Sequence, residues 1–199
     1  GGVYAVPGRN DCRACHEASV APVLGFSALQ LSPDRDPHAL HAEPASQHLV
    51  DLRSLQSRGL LRGLPATAIA QAPRIAAATA LARSALGYLH GNCGHCHNDV
   101  GPLASLDMAM LQSVGDPVRS ARRTWASLYG QGSRFRSERG DRSEPAPPQR
   151  IAPGRVDDST VLLRMASPHT MSRMPPIGVS VVDAAGLQLV RQWILSLDF

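Results

Sequence analysis

The sequence predicts an all-α fold made of two units, each combining short helices with long loops. The pattern Cys-x-x-Cys-His occurs twice in the 199 residues, beginning at Cys12 and at Cys93, which predicts two related units. Apolar residues before the second copy recur at helical spacing. Only 4% of the residues are aromatic although 43% are hydrophobic, so a bound apolar group is expected to fill part of the core. We place the units at residues 1–71 and 72–199.

The first unit contains little predicted regular structure. A stretch rich in Pro, Asp and His over residues 32–48 predicts a loop. Asp51 is a suitable N-cap for a short helix that carries Leu52 and Leu55 and ends near Gly59.

The second unit opens with the strongest helix of the sequence, which is predicted to begin near Pro73 and to run into Cys93. A region rich in Arg, Ser, Gly and Pro from about residue 130 to 153 predicts an exposed loop. Asp158 or Ser159 caps a short helix after it. The apolar positions of the first predicted helix are Ile75, Ala78, Ala82, Leu86 and Leu89.

The last predicted helix begins after Asp183, whose side chain is suited to an N-cap. Its apolar residues fall on one face, with Trp193 beside them. They are Leu187, Val190, Ile194 and Leu197.

The Cys-x-x-Cys-His pattern has a specific chemical use. Its two thiols add to the vinyl groups of haem, and the adjacent imidazole becomes the proximal iron ligand. A redox-active Cys-x-x-Cys pair would predict a βαβ pattern, and a zinc ribbon a shorter gap between the pairs. The sequence therefore predicts two covalently bound haems, and His95 is expected to point away from the iron. Cys12, Cys15, Cys93 and Cys96 would hold the haems, and His16 and His97 would ligate iron.

The second haem has a candidate distal ligand in Met174, on a loop stiffened by Pro175 and Pro176. Proline restricts the preceding residue to extended backbone, so the Met174 thioether is expected to lie across the haem face. We prefer Met174 to Met171. Met165 falls within a helix and is expected to pack in the core, and the remaining methionines, Met108 and Met110, are too close in sequence to the attachment site.

A helix, a Cys-x-x-Cys-His motif, a Met-Pro-Pro loop and a C-terminal helix together resemble the class I cytochrome c family, over roughly Pro73 to Phe199. The resemblance implies a cytochrome c-like haem-binding domain in which His97 and Met174 are the axial pair. It also implies that the first and last helices cross at a glycine and an aromatic residue, Gly87 or Tyr88 against Trp193. With the first motif, the chain would contain two such haem-binding domains.

The distal ligand of the first haem is less clear, because no methionine occurs between His16 and Met108. The local candidates are His38, His41 and His48, and His90 is an alternative across the junction between the units. The segments 25–32, 41–44 and 89–92 resemble a group of bacterial dihaem cytochromes whose function is poorly assigned. This resemblance favours His41.

Charge and hydropathy restrict the partners. The net charge of +4 comes from 20 Arg and no Lys against 16 acidic residues, and it is too small to indicate nucleic-acid binding. No apolar run is long enough for a transmembrane segment. Because haem is attached to this motif outside the bacterial cytoplasm, we expect a periplasmic protein whose signal peptide preceded Gly1. The Arg-rich region 119–150 would suit an acidic redox partner, or is a solvated loop without one.

These features predict an electron carrier or relay between redox protein partners, a dehydrogenase on one side and a terminal acceptor on the other. A His/His first haem and a His/Met second haem would place the higher potential on the second. The alternative is a haem enzyme with an open or displaceable ligand site at the first haem, peroxidase-like or acting on a small sulfur or nitrogen substrate. A third possibility is a non-catalytic subunit of a larger complex.

Overall fold

The computed structural model describes residues 6–40, 50–135, 148–179 and 181–197. Over these ranges the regular structure is helical, with isolated β-bridges and no β-strand, which confirms the predicted all-α class. Short 3-10 turns occur at Ala104–Leu106 and Val156–Asp158. The α-helices are α1 (Arg9–His16), α2 (Leu52–Ser57), α3 (Ala66–Ala70), α4 (Ala80–Asn92), α5 (Pro117–Leu128), α6 (Thr160–Ala166) and α7 (Ala184–Leu195).

Two predicted helix starts are confirmed by their caps. The Asp51 carboxylate accepts a hydrogen bond from the backbone N–H of Ser54 at 2.7 Å and begins α2. Asp183 accepts from the N–H of Gly186 at 3.0 Å and begins α7. At α6 the helix starts after Ser159 as predicted, but the Ser159 hydroxyl bonds to the backbone of Ala152 instead of capping.

The helix predicted from Pro73 was wrong at its start. α4 begins at Ala80, with the Thr79 hydroxyl accepting from the N–H of Ala82. The preceding segment docks on the first unit, where Arg74 forms an ion pair with Asp34 at 2.6 Å. Tertiary contacts therefore override the helical spacing in residues 73–78.

Three of the described helices were not predicted, namely α1, α3 and α5. α1 contains the first Cys-x-x-Cys-His motif, and α5 lies in the Arg-rich region. Asp116 and Pro117, an N-cap followed by proline at the first helical position, mark the start of α5 in the sequence. In the predicted loop 130–153, the described ends approach each other through isolated bridges, and residues 136–147 lie outside the described ranges.

The core is formed where α4 crosses α7, with α6 packed alongside. The closest approach is at Gly186, where a Cβ would overlap the ring of Tyr88, and the Tyr88 hydroxyl donates to Asp183 at 3.1 Å. The glycine of this contact lies on α7 and the aromatic residue, Tyr88, on α4, whereas the family resemblance implied Gly87 or Tyr88 against Trp193. Trp193 is fully buried, 6.3 Å from the ring of Trp125.

Contacts also cross the predicted boundary between the units. Arg83 of α4 forms a bidentate ion pair with Asp36, with N–O distances of 2.9 and 3.1 Å. Leu40, from the first unit, packs against the core. In the ranges that the structure describes, no helix combines the length and the apolar composition that crossing a membrane requires.

Candidate functional site

The first motif lies on α1, which has no buried residue. His16 is exposed at the end of the helix, and its Nδ1 lies 2.5 Å from the carbonyl oxygen of Pro22. Because a carbonyl oxygen only accepts, Nδ1 carries the proton and Nε2 keeps its lone pair. A metal-ligating histidine has this arrangement, in which the second ring nitrogen is fixed by a backbone carbonyl.

The second motif follows α4 directly. The backbone N–H groups of Cys96 and His97 both donate to the carbonyl of Cys93, at 3.1 and 2.8 Å, so the motif forms a tight turn. Burial raises the pKa of the Cys93 thiol to about 12 and that of Cys96 to about 11. Redox-active Cys-x-x-Cys pairs have lowered thiol pKa values, so these two thiols lack that property.

A cavity of about 370 Å³ opens beside the second motif. His97 and Met174 both line it, together with apolar side chains from α6 and from the loops before α5. The N–H of Met174 donates to the carbonyl of Arg164 at 2.9 Å and ties the methionine loop to the end of α6. The remaining principal lining residues are Leu103, Leu106, Met108, Met110, Phe135, Arg150, Val161, Arg164, Met165, Pro175 and Pro176.

The methionines differ in whether they line this cavity. Met174 lines the cavity, whereas Met171 is 91% exposed and does not. Three other thioethers, those of Met108, Met110 and Met165, also line the cavity, and Met110 is fully buried. The structure therefore brings His97 and Met174 to one cavity, within a lining unusually rich in sulfur.

The cavity has charged groups suited to an anionic ligand. Arg164 is half-buried, its Nε donates to the carbonyl of Ser172 at 2.8 Å, and its guanidinium lies over the Phe135 ring. Burial lowers the pKa of Arg164, and no described carboxylate opposes that effect. A half-buried guanidinium is a favourable position for an anion, so a carboxylate-bearing ligand would suit the site.

The chemistry of this cavity fits a haem. It offers two thiols, an imidazole, thioethers, apolar walls and, for a propionate, the Arg164 guanidinium, which forms no ion pair with another described residue. In addition, His97 Nδ1 and Thr160 Oγ1 are buried and lack hydrogen-bond partners among the described residues. Among the described residues, His97 therefore lacks the partner for its second ring nitrogen that His16 has in the carbonyl of Pro22.

The candidates for the distal position over His16 are only partly described. His41 and His48 lie outside the described residues, and His38 is exposed. His90 is buried, and its Nδ1 accepts from the N–H of Gln112 at 3.0 Å. Its proton is therefore on Nε2, so His90 in this arrangement does not present a lone pair to iron.

The structure also brings the two motifs into contact, which the sequence did not predict. Ligand atoms of Cys15, His95 and Cys96 all lie within 4.8 Å of one another. His95 is half-buried there, and burial together with nearby His16 lowers its pKa. The sequence contains no pattern that pairs these positions, since Cys15 lies near the start of the first unit and Cys96 lies in the second.

Part of the Arg-rich region has internal partners. Arg123 forms ion pairs with Asp99, at 2.6 Å, and with Asp107. The Arg150 guanidinium donates to three backbone carbonyls, those of Leu106, Asp107 and Ser127. These two arginines therefore stabilise the loops around the cavity, while Arg119 and Arg122 are exposed.

A scan against protein-family models found no match for this chain, and searches of curated proteins and of solved structures found no significant match either. The interpretation of the site therefore depends on its residues and their geometry.

Proposed function

We propose that this chain is a periplasmic dihaem c-type cytochrome that relays electrons between redox protein partners. The observation that carries the proposal is the cavity at the second motif, where thiols, imidazole and thioether converge. The orientation of the His16 ring supports the same role for the first motif. The periplasmic location follows from the chemistry of attachment, which occurs outside the bacterial cytoplasm.

Each residue has a defined part in this proposal. Cys93 and Cys96 would hold one haem, with His97 and Met174 as its axial ligands; Cys12, Cys15 and His16 would hold the other. Bound haem supplies reversible one-electron exchange at iron. The apolar lining would limit the access of water to a haem bound at the second site, and Arg164 would balance propionate charge.

The direct test is haem content after production with an export signal in bacteria that attach haem to Cys-x-x-Cys-His motifs. We expect two covalent haems per chain by the pyridine haemochrome spectrum and by mass. The C12S/C15S and C93S/C96S variants should each retain one. A chain without haem whose Cys15, His95 and Cys96 bind zinc instead would contradict the proposal.

A second candidate function is a haem enzyme with an open or displaceable ligand at the first haem, acting on peroxide or a small sulfur or nitrogen compound. The exposure of His16 favours it, since the second motif is half-buried and the first is not. EPR of the ferric protein separates the two functions. Two low-spin haems support the relay, and a high-spin first haem supports the enzyme.

The role of His41 is tested by the same spectrum. Under the relay function, H41A should convert the first haem from low-spin to high-spin, while H38A and H48A leave it unchanged. If H38A or H48A alone produces the high-spin signal, that histidine is the ligand in place of His41.

A further inference from the structure

The two motifs meet through the sulfur atoms that would become thioethers. Cys15 Sγ, Cys96 Sγ and a ring nitrogen of His95 lie within 4.8 Å of one another. Cys96 Sγ also lies 4.0 Å from the carbonyl oxygen of Ala14 on α1. The contact is therefore made by one end of α1 and the turn that follows α4.

One buried side chain ties these two segments together. Asn98 Nδ2 donates to the carbonyl of Ala18, just after the first motif, at 3.0 Å. It also donates to Gly94 and His95 within the second motif, at 3.1 and 3.0 Å. Its Oδ1 accepts from two backbone N–H groups of its own loop, so both ends of the amide are engaged. Deleting this side chain would leave several buried groups without partners.

A glycine makes the close approach possible. A Cβ on Gly101 would lie 2.5 Å from the carbonyl oxygen of Ala18, a distance that requires one segment to move. Gly115 provides a contrast, because a Cβ there would lie 3.7 Å from the Ser113 hydroxyl, an ordinary contact. The two glycines therefore differ in whether an added methyl group separates the motifs.

We propose that the two haems meet at their thioether edges and act as one electronically coupled pair, with Asn98 and Gly101 as positioning residues. The inference rests on the proposed function, because each sulfur must be bonded to a haem. With both haems bound, each thioether sulfur would be attached to a substituent of its porphyrin, so sulfur atoms this close would bring the two attachment edges near one another. An electron arriving at one haem can then pass to the other within the chain.

The test is circular dichroism in the Soret band of the diferric holoprotein. Two coupled porphyrins give a couplet of opposite signs that is absent from the sum of the two single-haem spectra. We expect a couplet in the natural protein and its loss in C12S/C15S and in C93S/C96S. We also expect G101A and N98A to weaken the couplet while keeping two haems, and G115A to leave it unchanged.

Each result has a definite meaning. Two attached haems with no couplet in the natural protein would overturn the pairing and leave the proposed function standing. Fewer than two haems would overturn the proposed function first, and the pairing with it. An unchanged couplet in both G101A and N98A would remove their positioning role. If G101A fails to bind haem, N98A and the single-haem variants still decide the outcome.

Discussion

The same five-residue motif occurs in two different settings in this molecule. The first copy lies on an exposed helix that buries no residue, whereas the second is built onto α4 beside the main core. If both motifs bind haem as proposed, His16 and His97 would be the proximal ligands. The surroundings differ: the second site has a cavity with a nearby methionine, and the described residues show no comparable enclosure around the first.

The largest expected difference between the two sites is in stability. C93S/C96S would leave the cavity of about 370 Å³ unfilled. The loss should resemble that of removing a large core side chain, about 3 to 5 kcal/mol. C12S/C15S should cost about 1 kcal/mol or less, because α1 is a surface helix. Guanidinium unfolding of the two single-haem proteins measures the contrast, and equal losses would contradict it.

The next expected effect is a pH dependence of stability that arises from His90, which is buried on α4, the helix that leads into the second motif. Burial lowers the pKa of His90 to about 4. The unfolded chain, with a histidine pKa near 6.5, therefore binds the proton first as pH falls. The stabilisation is complete above pH 6.5 and is lost as pH falls towards and through 4, by roughly 3 kcal/mol in total.

Denaturant unfolding at pH 7 and pH 4 measures this loss. The H90Q variant, which keeps an acceptor for the Gln112 N–H, should show a smaller change than the natural protein between these pH values. H38Q is the matched control, since His38 is exposed and its replacement should leave the pH dependence as it was. A pH dependence unaffected by H90Q would assign the effect to other groups.

Replacing Met174 by histidine should make the axial ligands of the two irons alike. If the second haem is His/Met and the first His/His, M174H should lower the potential of the second towards that of the first. The expected shift is on the order of 100 mV, a small part of the roughly 0.8 V that axial ligands span. M171H is the control, because Met171 is exposed. A redox titration in which M171H shifts the potential and M174H does not would reassign the ligand.

Some of these features could be predicted from the sequence and others could not. The helical class and the caps at Asp51 and Asp183 follow from local chemistry that can be read in the sequence. So does the position of Met174 in the cavity that His97 also lines. The late start of α4 does not, because Arg74 is held by Asp34 from a distant loop. A helical spacing of apolar residues records burial, and Ile75 is packed against the core without being helical.

The contact between the two motifs could not be predicted from local sequence patterns either. It depends on Asn98 reaching Ala18, 80 positions earlier in the chain, and on the absence of a side chain at Gly101. A single asparagine and a single glycine carry no distinctive pattern. The identity of the residue over His16 is likewise set by long-range placement, and the sequence alone supplies only the candidate histidines.

The smallest predicted effect concerns the helix crossing that supports the second site. G186A would place a methyl group into the ring of Tyr88, which must shift and weaken its hydrogen bond to Asp183. We expect a loss of about 1 to 2 kcal/mol from this overpacking. G87A, one residue before Tyr88 on α4, is the matched control: its Cβ would lie 3.7 Å from Ile75, and alanine favours the helix by about 0.5 to 1 kcal/mol. Because the crossing lies outside the first motif, G186A should leave the spectrum of the first haem unchanged. A changed spectrum would mean that the first site also depends on the packing of α4 against α7.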